Sequence, residues 1–162
     1  MALKPDRILS HTDISFFMNA VAERGGMCIA RTAGSGAAMD QSEASVMPSG
    51  STASGTYPVG VLMNDMVNKD LSQTHLNQHK DEVQLGGKVT LMRQGQITTN
   101  AIRTGVTPTM GAPAYYQPGT LFGNANVFGF TTANQNDGVP VVGRFLSTKD
   151  EDGYCKIDIN IV

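Results

Sequence analysis

Charge is scarce in this sequence and nowhere concentrated. Twelve Lys and Arg face fourteen Asp and Glu over 162 residues, for a formal net charge of −2. The basic residues are scattered, whereas binding of duplex or single-stranded nucleic acid needs a positive stripe or patch, so nucleic acid is not expected as a partner. No run of about 18 apolar residues occurs, so no membrane-spanning helix, and no membrane partner, is expected. The first seven residues, MALKPDR, lead into polar sequence rather than an apolar signal core, which points to synthesis in a cytoplasm without Sec export. Tryptophan is missing altogether, and the only cysteines are Cys28 and Cys155. Two thiols build neither a disulfide framework nor a zinc site, and in a cytoplasmic chain they are expected to be buried and free.

Catalytic motifs are missing as well. Neither GxxxxGK[ST] nor GxSxG occurs, which removes the phosphate-cradling loop and the nucleophile elbow. Gly34-Ser35-Gly36-Ala37-Ala38-Met39 carries only the first half of a dinucleotide fingerprint, with no third glycine and no βαβ setting. His75 and His79 would share one face of a helix, near Asp81 and Glu82. The segment is polar and weakly helical and has no third histidine, so a solvated turn is expected there rather than a metal site. Lys149-Asp150-Glu151-Asp152-Gly153 lacks the alternating oxygen ligands and closing Glu of a calcium loop. No catalytic residue, cofactor site or metal ligand is assigned, and the chain is not expected to be an enzyme.

What the sequence does have is turn chemistry. Eighteen Gly and seven Pro are spread among many Ser, Thr and Asn, a composition poor in helix formers and suited to short strands joined by turns. The expected fold class is mainly β, a small barrel. Its clearest element is the last one. Cys155, Ile157, Ile159 and Ile161 alternate with Lys156, Asp158 and Asn160, the period-two pattern of a strand with one face on a core. The preceding arm, Val139 to Leu146, is extended, and Asp150 to Gly153 suits a type I turn closed by a residue of positive φ. The pair is expected to form a hairpin that closes the barrel.

Earlier in the chain, Met27 to Ala30 reads as a short apolar strand, and Val59 to Met63 is too apolar for anything but the core. Asp65 to Glu82 reads as a polar surface excursion. Lys88 to Arg93 and Gln96 to Asn100 read as two strands of a hairpin turned at Gln94-Gly95. Ala114 to Tyr116 and Asn126 to Phe130 read as strands, with Gln117-Pro118-Gly119 as a tight turn. Asp13 to Arg24 has a helical reading, capped by Thr12 or Asp13 and stopped by Gly25-Gly26. Phe16 and Phe17 are adjacent and diverge on any regular element, so one of them is expected to seek a partner outside a small core. Residues 1–26 are accordingly read as an extended N-terminal arm, with residues 27–162 as the barrel domain. Ile14, Phe16, Phe17 and Met18 are the candidate interface residues.

Taken together, Tyr57 to Leu62, Gly86 to Leu91, Ala112 to Tyr115, Val142 to Ser147 and the closing DEDGYCKIDINIV resemble the capsid decoration (cement) proteins of tailed bacteriophages. The resemblance covers roughly residues 56–162. It implies a β-tulip barrel that assembles as a homotrimer on the outer surface of an icosahedral head, with the major capsid protein as partner, and braces the joints between capsid subunits. In that family an extended N-terminal arm commonly contacts the capsid. Two other readings stand beside it. One is a different β-type virion component, such as a tail or head-fibre part. The other is a glycan-binding module using Tyr115, Tyr116 and the Asn-rich region from Asn124 to Asn136.

Overall fold

The computed structural model describes residues 3–4, 11–13, 16–18, 22–31, 43–46, 56–67, 82–83, 88–121, 124–133 and 140–161. These form thirteen strands and, among the described residues, no helix. In chain order they are β1 (Leu3–Lys4), β2 (His11–Asp13), β3 (Phe17–Met18), β4 (Ala22–Glu23), β5 (Met27–Arg31), β6 (Glu43–Val46), β7 (Thr56–Val67), β8 (Glu82–Val83), β9 (Lys88–Thr99), β10 (Pro113–Leu121), β11 (Asn124–Thr131), β12 (Gly143–Phe145) and β13 (Cys155–Asn160). The fold is mainly β and barrel-like.

The spine is β9. Its first half pairs with β7, from Val67↔Lys88 to Val61↔Met92, and its second half pairs with β13, from Asn160↔Gln94 to Cys155↔Thr99. One strand therefore belongs to two sheets. The first is a ring, β9-β3-β6-β5-β7, closed because β7 returns to β9. The second is the open sheet β9-β13-β12-β10-β11.

Each sheet has its own apolar filling. Met18, Cys28, Val59, Leu62, Val89 and Leu91, all contributed by ring strands, form one buried cluster with Phe16 packed against it. This is the inside of the ring. Met27, Val61 and Met92 point the other way from the same strands and join Ile97, Ala114, Tyr116, Phe130, Phe145, Cys155, Ile157, Ile159 and Ile161 in the larger cluster. The wall shared by β5, β7 and β9 is thus apolar on both faces, which is why Val59 to Met63 reads as a continuous hydrophobic run rather than an alternation. Gly60 sits where that wall is tightest. A Cβ there would lie 2.9 Å from Leu91 Cβ and 3.0 Å from the Met92 carbonyl oxygen.

The closing hairpin forms as its pattern predicts. β12 pairs with β13 through Gly143↔Ile159, Arg144↔Asp158 and Phe145↔Ile157, and β13 alternates buried and partly exposed residues. The turn is fixed by Asp150, whose Oδ1 accepts from the backbone N–H of Asp152 (3.1 Å) and of Tyr154 (2.7 Å). Gly153 takes φ of 81°. An Asx-type turn with glycine at the left-handed position is what an Asp-rich, Gly-terminated loop supplies.

Four local readings are corrected by tertiary pairing. Lys88 to Thr99 is one strand and not a hairpin. Gly95, at φ 137°, bends it instead of reversing it, and the residues on both sides of the bend are held in pairs by β7 and β13. The bend resets the alternation: Arg93 and Gln94 are consecutively exposed, and Ile97 then returns to the core. Gln117-Pro118-Gly119 is strand, paired with Gly129, Phe128 and Val127. β12 reaches only Pro113 and Ala114 of β10, so Pro118 lies on a stretch bordered by β11 alone among the described strands, where a missing N–H costs no ladder bond. Asp65 to Val67 extends β7 rather than opening a surface excursion; residues 68–81 lie outside the described residues. Finally, the described parts of 13–24 are strand and turn, not helix. Asp13 pairs with Leu91 and Phe17 with Lys88, so an open strand edge outcompetes a weak capping signal.

Cys28 and Cys155 are free and buried, one in each cluster, as their scarcity predicts. Burial pushes both thiols up from the ordinary value of 9.0 to about 12. Two consequences follow for measurement. Neither thiol should react with a thiol reagent at pH 8 until denaturant is added, when both should; labelling of the folded chain would place a thiol at the surface. The sign of the pH dependence is fixed as well. The unfolded thiols ionise near pH 9 while the folded ones do not, so their contribution to stability is intact below pH 9 and is lost as pH rises toward 12.

Candidate interaction surface

The interior holds no chemistry. The groups with strongly displaced pKa values are Cys28, Cys155 and Tyr116, and desolvation is the leading cause in each. Tyr116 is pushed up to about 12, hydrogen-bonds with the Met27 backbone, and meets Phe130 edge-on with ring centroids 5.0 Å apart. It is a core residue at 5% exposure, which leaves Tyr115 as the half-buried member of the pair. Among the described residues, no group of three or more His, Cys, Asp and Glu is arranged to hold a metal. Residues 34–39, His75 and His79 lie outside the described residues.

The surface is more informative. On the open sheet, the strand alternation that sends Ile157 and Ile159 inward sends Lys156, Asp158 and Asn160 outward. Register then builds cross-strand rows. Pro113, Arg144, Asp158 and Gln96 lie in line across β10, β12, β13 and β9, with Arg144 directly opposite Asp158. Asn160 is opposite Gln94, whose Nε2 donates to Asn160 Oδ1 at 3.2 Å, and Gln94 is in turn opposite His11. Lys156 is opposite Thr98. This face mixes charges of both signs with amides, and it is flanked by the two large apolar side chains recorded as exposed. Met110 is 76% exposed at the tip of a turn in which Ala112 N–H donates to the Thr109 carbonyl, and Val141 is 50% exposed just before β12. Gly111, at φ 85°, makes that turn, and its N–H donates to the Phe145 carbonyl. Sequence reading passed over Met110. The available signal was a Met followed by a Gly in a Pro-containing turn segment, where a large apolar residue has no core to enter.

The interface residues read from sequence are placed as follows. Ile14 lies outside the described residues. Phe16 and Phe17 are half-buried; the Phe16 carbonyl accepts from the Val89 N–H, and its ring packs against the ring-interior cluster. Met18 is 1% exposed inside the ring. The segment 3–17 runs antiparallel along one edge of β9, through Leu3↔Thr99, Lys4↔Thr98, His11↔Gln94, Thr12↔Met92, Asp13↔Leu91 and Phe17↔Lys88.

Comparison with curated proteins gives no match to this chain. Comparison with protein families gives one whose reach is nearly the whole fold: the model of the structural cement protein (E217 gp24/Pam3 gp6) matches residues 9–160. The matched span takes in β9, both sheets it joins, and the closing hairpin, while the interior offers packing in place of a reactive site. This chain belongs to the phage structural cement protein family.

Proposed function

We propose that this protein binds the outside of an icosahedral phage head as a homotrimer, contacts the major capsid protein, and stabilises the joints between capsid subunits. The observation that carries the reading is the family match over residues 9–160. Membership implies a structural rather than enzymatic role in the virion capsid. The finer reading is a β-tulip barrel made in the host cytoplasm, with no nucleic acid or membrane partner. It is supported by a net charge of −2 without a basic stripe and by an interior whose shifted groups are all packed away. The polar sheet face of Arg144, Asp158 and Lys156 is the proposed shell-facing surface. Half-buried Phe16 and Phe17, with Ile14 and the buried Met18, make up the proposed subunit contact. Many modest contacts suffice for a lattice binder, because simultaneous engagement of several subunits raises avidity by roughly 10² to 10⁴.

The test is decoration of heads that lack the protein. The purified chain should co-pellet with them; failure to co-pellet at saturating concentration overturns the proposal. Lys156→Glu separates folding from binding in the same assay. Lys156 is only partly buried on the outward face, so the variant should unfold within about 0.5 kcal/mol of the parent. Its head occupancy should fall, and undiminished occupancy would remove this face from the contact.

A further inference from the structure

The N-terminal strand is attached to the rest of the chain in an unusual way. Between Lys4↔Thr98 and His11↔Gln94 the arm has six residues where β9 has three, and the register shifts again between His11 and Thr12. The arm therefore does not track β9 continuously, and among the described pairings Gly95, Gln96 and Ile97 take no partner from it. The arm's described side chains in β2, His11 and Thr12, are both exposed, so the hold there is backbone pairing with no apolar burial. Beyond Asp13 the attachment changes character. Met18 is enclosed, and β3 closes the ring by joining β6 to β9. A firmly held β3 and a lightly held β1–β2 thus meet at the two residues 14–15.

We infer that residues 1–13 are an exchangeable edge strand, which leaves its own β9 and pairs with the outer edge of β9, from Leu91 to Thr99, in a second copy of this chain. The occupant follows from the pairing itself. That edge already accepts this segment, and a second copy's arm brings the same segment with the same register, so exchange preserves every pair it breaks. It also needs no refolding, because the ring interior and the hairpin keep their contacts when only β1 and β2 move. A bare edge of nine residues is a template for strand addition, and an arm from a neighbour covers it while tying two copies together. The inference rests on the homotrimer reading and specifies which strand joins the subunits.

Cysteine pairing tests it on the full-length chain, whose own thiols are buried. His11 and Gln94 are both exposed and directly opposite in register. Chains carrying His11→Cys, lengthened by a tag, are mixed with chains carrying Gln94→Cys and oxidised gently. A mixed disulfide as the main product is expected, and the double variant should run at twice and three times the chain mass on a denaturing, non-reducing gel. A double variant that closes only on itself, with no mixed disulfide from the single variants, overturns the inference. So does the absence of any disulfide both here and in the second pair, Lys4→Cys with Thr98→Cys. Sedimentation of the same samples keeps the two readings apart. A trimer with internal disulfides refutes strand exchange and leaves the homotrimer standing, whereas a monomer with internal disulfides refutes both.

Discussion

Ile159→Asp is expected to abolish cooperative folding at neutral pH. Ile159 is 1% exposed in the larger cluster, and its cross-strand neighbours are Gly95 on β9 and Gly143 on β12. Two glycines leave room for the isoleucine but offer no side chain to pair with a carboxylate. An unpaired buried charge costs several kcal/mol, which is comparable with the whole stability of a domain this size. Ile159→Ala, which only empties the site, should cost about 2–5 kcal/mol and still fold. Urea unfolding at pH 7 distinguishes the three chains. The pH response adds a check with a definite sign. Burial raises the pKa of the introduced carboxyl above its unfolded value, so its penalty is absent below that value and develops as pH rises. The gap between Ile159→Asp and parent should therefore narrow toward pH 4. An Asp variant as stable as the parent at pH 7 would mean that the β13 register places residue 159 on the wet face.

Gly143→Ala should also destabilise strongly, for a different reason. A Cβ on Gly143 would overlap the Asp158 carbonyl oxygen, and would lie 2.9 Å from the Asp158 carbonyl carbon and 3.1 Å from Ile159 Cα. All three obstacles are backbone of β13, so no side chain can swing aside. The strands must part, and β12 and β13 together carry Phe145, Ile157 and Ile159 of the core. Overpacking of this kind costs about 1–3 kcal/mol, and the upper end is expected here because two sheet ladders meet at the site. Gly153→Ala is the control. It meets open space at φ 81°, so only the left-handed conformation is penalised, by about 1–2 kcal/mol. Thermal unfolding should rank Gly143→Ala below Gly153→Ala. The reverse order would show that β12 and β13 are further apart than the register requires. Loss of the pair would also scatter Arg144 and Asp158, so head binding should fail along with folding.

The resemblance to cement proteins was readable from short segments of the chain, and the family match extends it to residues 9–160. The candidate surface was less legible. Arg144 and Asp158 stand fourteen residues apart in sequence, and it is the register Arg144↔Asp158 that brings them face to face. Met18 was grouped with Phe16 and Phe17 because the three are consecutive and apolar. Its enclosure depends on β3 being drawn between β6 and β9, strands that lie far along the chain.

Sequence by itself determined whatever is decided within a few residues. Strict alternation set the two faces of β13, Asp150 and Gly153 set its turn, and the unbroken apolar run at Val59 to Met63 announced a strand covered on both sides. Only the tertiary structure decided which strand would be shared. A Gln-Gly step is compatible with a reversal or with a bend, and the local chain has no means of choosing. At Gly95 the choice fell to β7 and β13, which pair with successive halves of β9 and hold it extended through the bend. The same holds for residues 11–17, where a weak helical signal gave way to an open strand edge. Backbone hydrogen bonds to a partner distant in sequence outweigh local propensities of a few tenths of a kcal/mol per residue.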